Sequence, residues 1–108
     1  MKLITKEIER ALKKFPLDSQ DGREGICVCK FFNPCGRETW YVTEGDFDGE
    51  DWTFFGYVTG LYEDEWGYFT LSELQSVKGP FGLGIERDMY YKPCSKSVSE
   101  LLEEENRI

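Results

Sequence analysis

Hydrophobic positions follow two different rhythms along this chain. Over the first fifteen residues Ile4, Ile8, Ala11, Leu12 and Phe15 recur at helical spacing, with Thr5 placed to cap and Pro16 to stop. That pattern predicts an amphipathic helix from Thr5 to about Phe15. The segment from Asp18 to Gly25 is polar and reads as a loop. Beyond it the period shortens to two. Ile26 to Phe32, Thr39 to Glu44, Trp52 to Thr59 and Gly67 to Leu71 are short and rich in β-branched or aromatic residues. Each is bounded by Gly, Asn, Pro or acidic turn residues, as strands are. The links are too short for parallel crossovers, so the strands are expected to form an antiparallel meander.

Ser72-Glu73-Leu74 predicts a single helical turn, ended by Gly79-Pro80. Gly79, Gly82 and Gly84 then make a loop, and Ile85 to Tyr91 is expected to return to the sheet. Ser97 with Glu100 is a capping box opening a last helix that turns Val98, Leu101 and Leu102 inward. The expectation is one α+β domain over residues 1–108: an N-terminal helix, an antiparallel β meander of about five strands, and a C-terminal helix.

Composition narrows the chemistry. The 108 residues are 40% apolar and include 17 aromatics, enough for a real core. Thirteen Lys and Arg against 21 Asp and Glu leave a net charge of −8. That balance argues against binding to nucleic-acid phosphates or anionic membranes, and favours a basic partner. Histidine is absent, which excludes Ser-His-Asp and Cys-His catalysis and any His-ligated metal. The opening MKLITKEIERALKK has charges throughout its apolar residues, unlike a signal peptide, and no run of 18 apolar residues predicts a membrane span. A reducing cytosol is the expected compartment.

Four cysteines then stand out. Cys27 and Cys29 should share one face of a strand, the Asn33-Pro34-Cys35-Gly36 turn should fold a third sulfur back, and Cys94 follows Pro93 much later. Four converging thiolates would make a structural tetrahedral zinc site with no open position for water. Reduced free thiols are the alternative, and a Cys27–Cys29 disulfide would strain the strand.

Charge is also unevenly placed. Between Trp40 and Val77 lie nine acids and no Lys or Arg, together with 11 of the 17 aromatics. Glu44, Asp46, Asp48, Glu50 and Asp51 crowd a stretch read as a hairpin loop. It is open to several uses: a solvated turn, a calcium loop without the EF-hand spacing, a carboxylate pair for hydrolysis, or a surface offered to a basic protein. The aromatics lack interleaved Lys or Arg and read as core and sheet face rather than base-stacking platforms. Gly79-Pro-Phe-Gly82-Leu-Gly84 lacks the Lys-Ser/Thr of a phosphate loop and reads as a turn.

Lys30-Phe31-Phe32-Asn33-Pro34, Thr39-Trp40-Tyr41-Val42-Thr43-Glu44, Asp48-Gly49-Glu50-Asp51 and Phe54-Phe55-Gly56 resemble the signature of a small family of unknown function. Gly67-Tyr68-Phe69-Thr70-Leu71-Ser72-Glu73-Leu74, Gly79-Pro80-Phe81-Gly82-Leu83 and Ile85-Glu86-Arg87-Asp88 continue the likeness, from about Leu3 to Pro93. The family is common on phages, plasmids and integrative elements and has no established catalytic residues. Many relatives lack the cysteines, so Cys27, Cys29, Cys35 and Cys94 suggest a zinc staple added to a shared fold. The chain also resembles a zinc-containing phage anti-CRISPR protein directed at Cas9.

The resemblance implies a monomeric inhibitor in the host bacterial cytosol, without enzymatic activity. It would bind Cas9 as a DNA mimic and prevent target-DNA loading, without itself binding nucleic acid or membrane. Asp46, Asp48, Glu50, Asp51, Glu63, Asp64 and Glu65 are its expected contacts. The alternatives are a non-inhibitory accessory or scaffold protein of a mobile element, and an enzyme using the Glu44–Asp51 carboxylates with a divalent ion.

Overall fold

The fold is built from local signals first. A computed structural model describes residues 2–105. Helix α1 spans Lys6–Lys14, and Thr5 Oγ1 accepts the Ile8 amide at 3.2 Å as its N-cap. Glu7 and Glu9 in its first turn and Lys13 and Lys14 in its last complement the helix dipole. Ile8 and Leu12 are buried beneath it, and the Phe15 carbonyl after its end accepts the Gly45 amide.

The strands are β1 (Ile26–Cys27), β2 (Cys29–Phe32), β3 (Thr39–Phe47), β4 (Trp52–Thr59), β5 (Glu65–Thr70), β6 (Glu86–Arg87) and β7 (Lys96–Ser97). Five of them form an antiparallel sheet in the order β5-β4-β3-β2-β6, as expected of the meander, while β1 and β7 pair apart as a small second sheet. Helix α2 (Leu71–Ser76) follows β5 directly, capped by Thr70. Helix α3 (Val98–Glu104) begins with the expected capping box: Ser97 Oγ accepts the Glu100 amide at 3.1 Å, and the Glu100 carboxylate accepts the Ser97 amide at 3.0 Å.

Each face of the main sheet buries its own apolar cluster. On one face Cys29, Phe31, Trp40, Val42, Trp52, Phe54, Val58 and Phe69 pack with Ile8 and Leu12 of α1 and Leu74 of α2. On the other, Tyr41 packs with Cys27 and with Val98, Leu101 and Leu102 of α3. The Tyr41 hydroxyl donates to Glu105 at 2.7 Å, and Lys30 lies 5.3 Å from the Tyr41 ring centre.

Three features depart from the periodic reading. The strand expected over Ile26 to Phe32 breaks at Val28, so β1 turns to β7 while β2 stays with β3. The strand expected to end at Glu44 runs on to Phe47, because a bulge between Val42 and Glu44 restores a usable register against β4. The return strand after Ile85 is only two residues long, since Asp88 to Ser95 form turns stitched by Tyr91-to-Asp88 and Ser95-to-Lys92 backbone bonds.

The bulge turns Glu44 into the protein. Its carboxylate is buried and accepts the Asp18 amide at 2.8 Å and the Gln20 amide at 2.7 Å. Gln20 in turn donates to the Ile26 and Thr43 carbonyls and accepts the Ile26 amide, all at 2.7–2.8 Å. This network fastens the loop after α1 to β1 and β3. Glu44→Ala strands both amides, and is expected to lower unfolding free energy by about 2–4 kcal/mol in urea titration. Glu44→Gln, which keeps one acceptor, should lose less.

Gly56 is fixed by space. A Cβ there would sit 2.0 Å from the Tyr41 carbonyl oxygen across the β3–β4 ladder. Gly56→Ala is therefore expected to cost at least about 3 kcal/mol by the same measurement.

Acidic turns and cysteines as the candidate site

The acids predicted to meet a partner fall in or beside two turns at opposite ends of β4, with Asp46 near the end of β3 and Glu65 the first residue of β5. One joins β3 to β4, and the other joins β4 to β5. Eight residues of extended strand separate them by about 25 Å. The sequence gathers these acids into one window, and the hairpins part them.

Within each turn some carboxylates shape the backbone. Asp48 Oδ1 accepts the Glu50 amide at 2.8 Å and the Asp51 amide at 2.9 Å, around Gly49 at φ +102°. The Asp51 and Glu50 amides hold the Asp48 carboxyl below its ordinary range. Asp51 accepts the Ser72 hydroxyl at 2.6 Å, the Ser72 amide at 3.1 Å and the Trp52 amide at 2.9 Å. The Ser72 hydroxyl is the main reason its carboxyl is also lowered, and the contact ties the hairpin to the start of α2. Asp64 accepts the Gly60 amide at 3.2 Å in the second turn.

The remaining four, Asp46, Glu50, Glu63 and Glu65, are exposed. Ion pairs among the described residues join Lys30 to Asp88 and Glu105, and Lys96 to Glu104, all outside the acidic window. No described cation neutralises these four side chains. Glu44, read from sequence as part of the loop, belongs instead to the buried network above.

The cysteines are divided as well. Because the chain breaks at Val28, Cys27 and Cys29 do not share a cluster: Cys27 packs beneath α3, and Cys29 lies in the α1 cluster with Cys94 against its edge. The Cys27 carbonyl accepts the Cys94 amide at 3.1 Å and the Tyr91 hydroxyl at 2.6 Å. Cys94 is near enough to raise the Cys27 thiol, and Cys27 and Cys94 are both near enough to raise the Cys29 thiol. Burial is the larger cause: it lifts Cys27 to about 12, Cys29 well above its ordinary value, and Cys94 upward.

Cys35 stands elsewhere. It is exposed in the Asn33–Gly36 turn, its amide donating to Asn33 Oδ1 at 3.0 Å, and its side chain lies against Gly79. The length of β2, about 10 Å, separates it from the other three. Among the described residues, no three His, Cys, Asp or Glu side chains are placed to hold a metal ion. Backbone pairing ties the first strand to the C-terminal segment: Ile26 opposite Ser97, Cys27 opposite Lys96, and Val98 N–H to the Gly25 carbonyl at 3.1 Å.

No helix among the described residues is long and apolar enough to cross a membrane. Residues 3–107 match the family described as protein of unknown function (DUF2958), and the chain belongs to that family. Neither the curated proteins nor the solved structures contain a match to it.

The thiol arrangement has a direct readout. With a chromogenic disulfide reagent, Cys35 should react within seconds and at the same rate with or without a zinc chelator. Cys94 should react slowly, and Cys27 and Cys29 only on unfolding. Protection of Cys35 that a chelator removes would show that zinc gathers the four sulfurs.

Proposed function

We propose that this DUF2958 protein acts by binding, as an acidic ligand for a basic protein that itself handles nucleic acid. The observation that carries the reading is the unneutralised charge of Asp46, Glu50, Glu63 and Glu65, set at both ends of β4 in a window without Lys or Arg. Carboxylates left unpaired on a rigid sheet keep their field for a partner, and speed its approach. Asp48, Asp51 and Asp64 support this surface by fixing the turns that carry it.

The partner proposed from the sequence resemblance is Cas9, whose guide and target strands lie in positively charged channels. Charges spaced about 17 to 25 Å apart along β4 suit a channel that otherwise follows a nucleic-acid backbone. Seated there, the protein keeps target DNA from loading. Its action is stoichiometric, and no step of chemistry is needed.

The test is Cas9 cleavage of a matched DNA with the protein added before or after target. Inhibition near one-to-one is expected only when the protein comes first. Asp46→Lys with Glu50→Lys, or Glu63→Lys with Glu65→Lys, spares the turn-forming acids and should weaken inhibition about tenfold or more per pair. Raising salt from 50 to 300 mM should weaken the wild type in the same direction. Absence of inhibition across several Cas9 orthologues removes Cas9 as the partner. Inhibition unaffected by both reversals removes the acidic-ligand mechanism.

A further inference from the structure

One glycine in the sheet has no structural reason to be glycine. Gly67 lies in the interior of β5, opposite Gly56, and its backbone is not in the left-handed region. A Cβ at Gly67 would meet nothing within 4 Å, whereas one at Gly56 would strike the neighbouring strand. Glycine inside a strand weakens it, and one use of such a position is to let a ligand or another backbone approach closely.

The space above Gly67 is a groove of about 440 Å³ between α2 and the β4–β5 hairpin. Trp40, Val58 and Leu74 give it an apolar floor, and Glu63, Glu65 and Glu73 stand around it. No Lys or Arg among the described residues lines it. Glu63 and Glu65 have no hydrogen-bond or ionic partner among the described residues, while Glu73 accepts the Thr70 hydroxyl through one oxygen at 3.0 Å.

We infer that this groove receives an arginine side chain of the basic protein partner. The inference rests on the proposed acidic-ligand function and locates its anchor. An arginine matches both halves of the surface. Its three methylenes cover the apolar floor, and its guanidinium fork reaches carboxylates that planar, bidentate donors fit better than an ammonium does. The bare Gly67 backbone lets the stem lie close to the strand. Because the floor is buried, this contact supplies position, while the exposed turns supply long-range attraction.

The probe is N-acetyl-arginine methylamide, titrated against the ¹⁵N-labelled protein, with the uncharged citrulline analogue as control. Saturating shifts are expected at Gly67, Glu65, Glu73 and the Trp40 indole, and none with citrulline. Gly67→Leu fills the groove from an open position and should abolish those shifts while leaving amides elsewhere unchanged. Should that variant misfold, Glu65→Gln with Glu73→Gln keeps the test, with an expected loss of at least fivefold in affinity. Shifts spread over all the acidic turns without saturation, or shifts that persist in Gly67→Leu, overturn the inference. Cas9 cleavage with the same variants separates it from the function it rests on. Inhibition that survives Gly67→Leu leaves the acidic ligand standing without the groove. Arginine binding without any Cas9 inhibition leaves the groove standing with another basic partner.

Discussion

A buried carboxylate with no cation beside it among the described residues ties the loop after α1 to the sheet. Glu44 enters the interior only because β3 gains a residue at its bulge, and there it accepts two loop amides. Those bonds position Gln20, which bridges β1 and β3 with its own amide. The position of β1 in turn decides where Cys27 lies, what β7 can pair with, and where α3 begins. Backbone donors suffice here because a buried carboxylate is stabilised by charge-assisted hydrogen bonds as well as by an ion pair.

Much of the fold is legible from residues that act over a few positions. The Thr5 cap and helical spacing of α1, the Ser97–Glu100 box of α3, and the alternating aromatics of β4 all formed where their local pattern placed them. What escaped the pattern depends on pairing at a distance. Period two put Cys27 and Cys29 on one face, and it would be right for an unbroken strand. The break at Val28 exists because Ile26 and Cys27 are claimed by Lys96 and Ser97. Likewise, Glu44 reads as one more loop acid until the bulge is known.

The candidate site was legible as composition but not as geometry. The acidic window marks which part of the chain carries the charge. It cannot tell that Asp48, Asp51 and Asp64 spend their oxygens on turn amides, or that two hairpins point the acids apart. Glu73 reads as a helix acid and Gly67 as the opening residue of a strand, so neither points to a groove from sequence. An isolated glycine inside an otherwise aromatic strand was the signal available.

The small β1–β7 sheet sets the order of assembly. The β3, β4 and β5 hairpins close through short turns, so their contacts cost little loop entropy and form early. Ile26 must instead find Ser97 across roughly seventy residues, a closure whose entropy is repaid only when α3 settles over Tyr41. Until then one aromatic face of the sheet is wet and its β1 segment has no partner. A clasp of two residue pairs therefore carries the largest loop-closure cost in this fold, although it is the smaller of its two sheets.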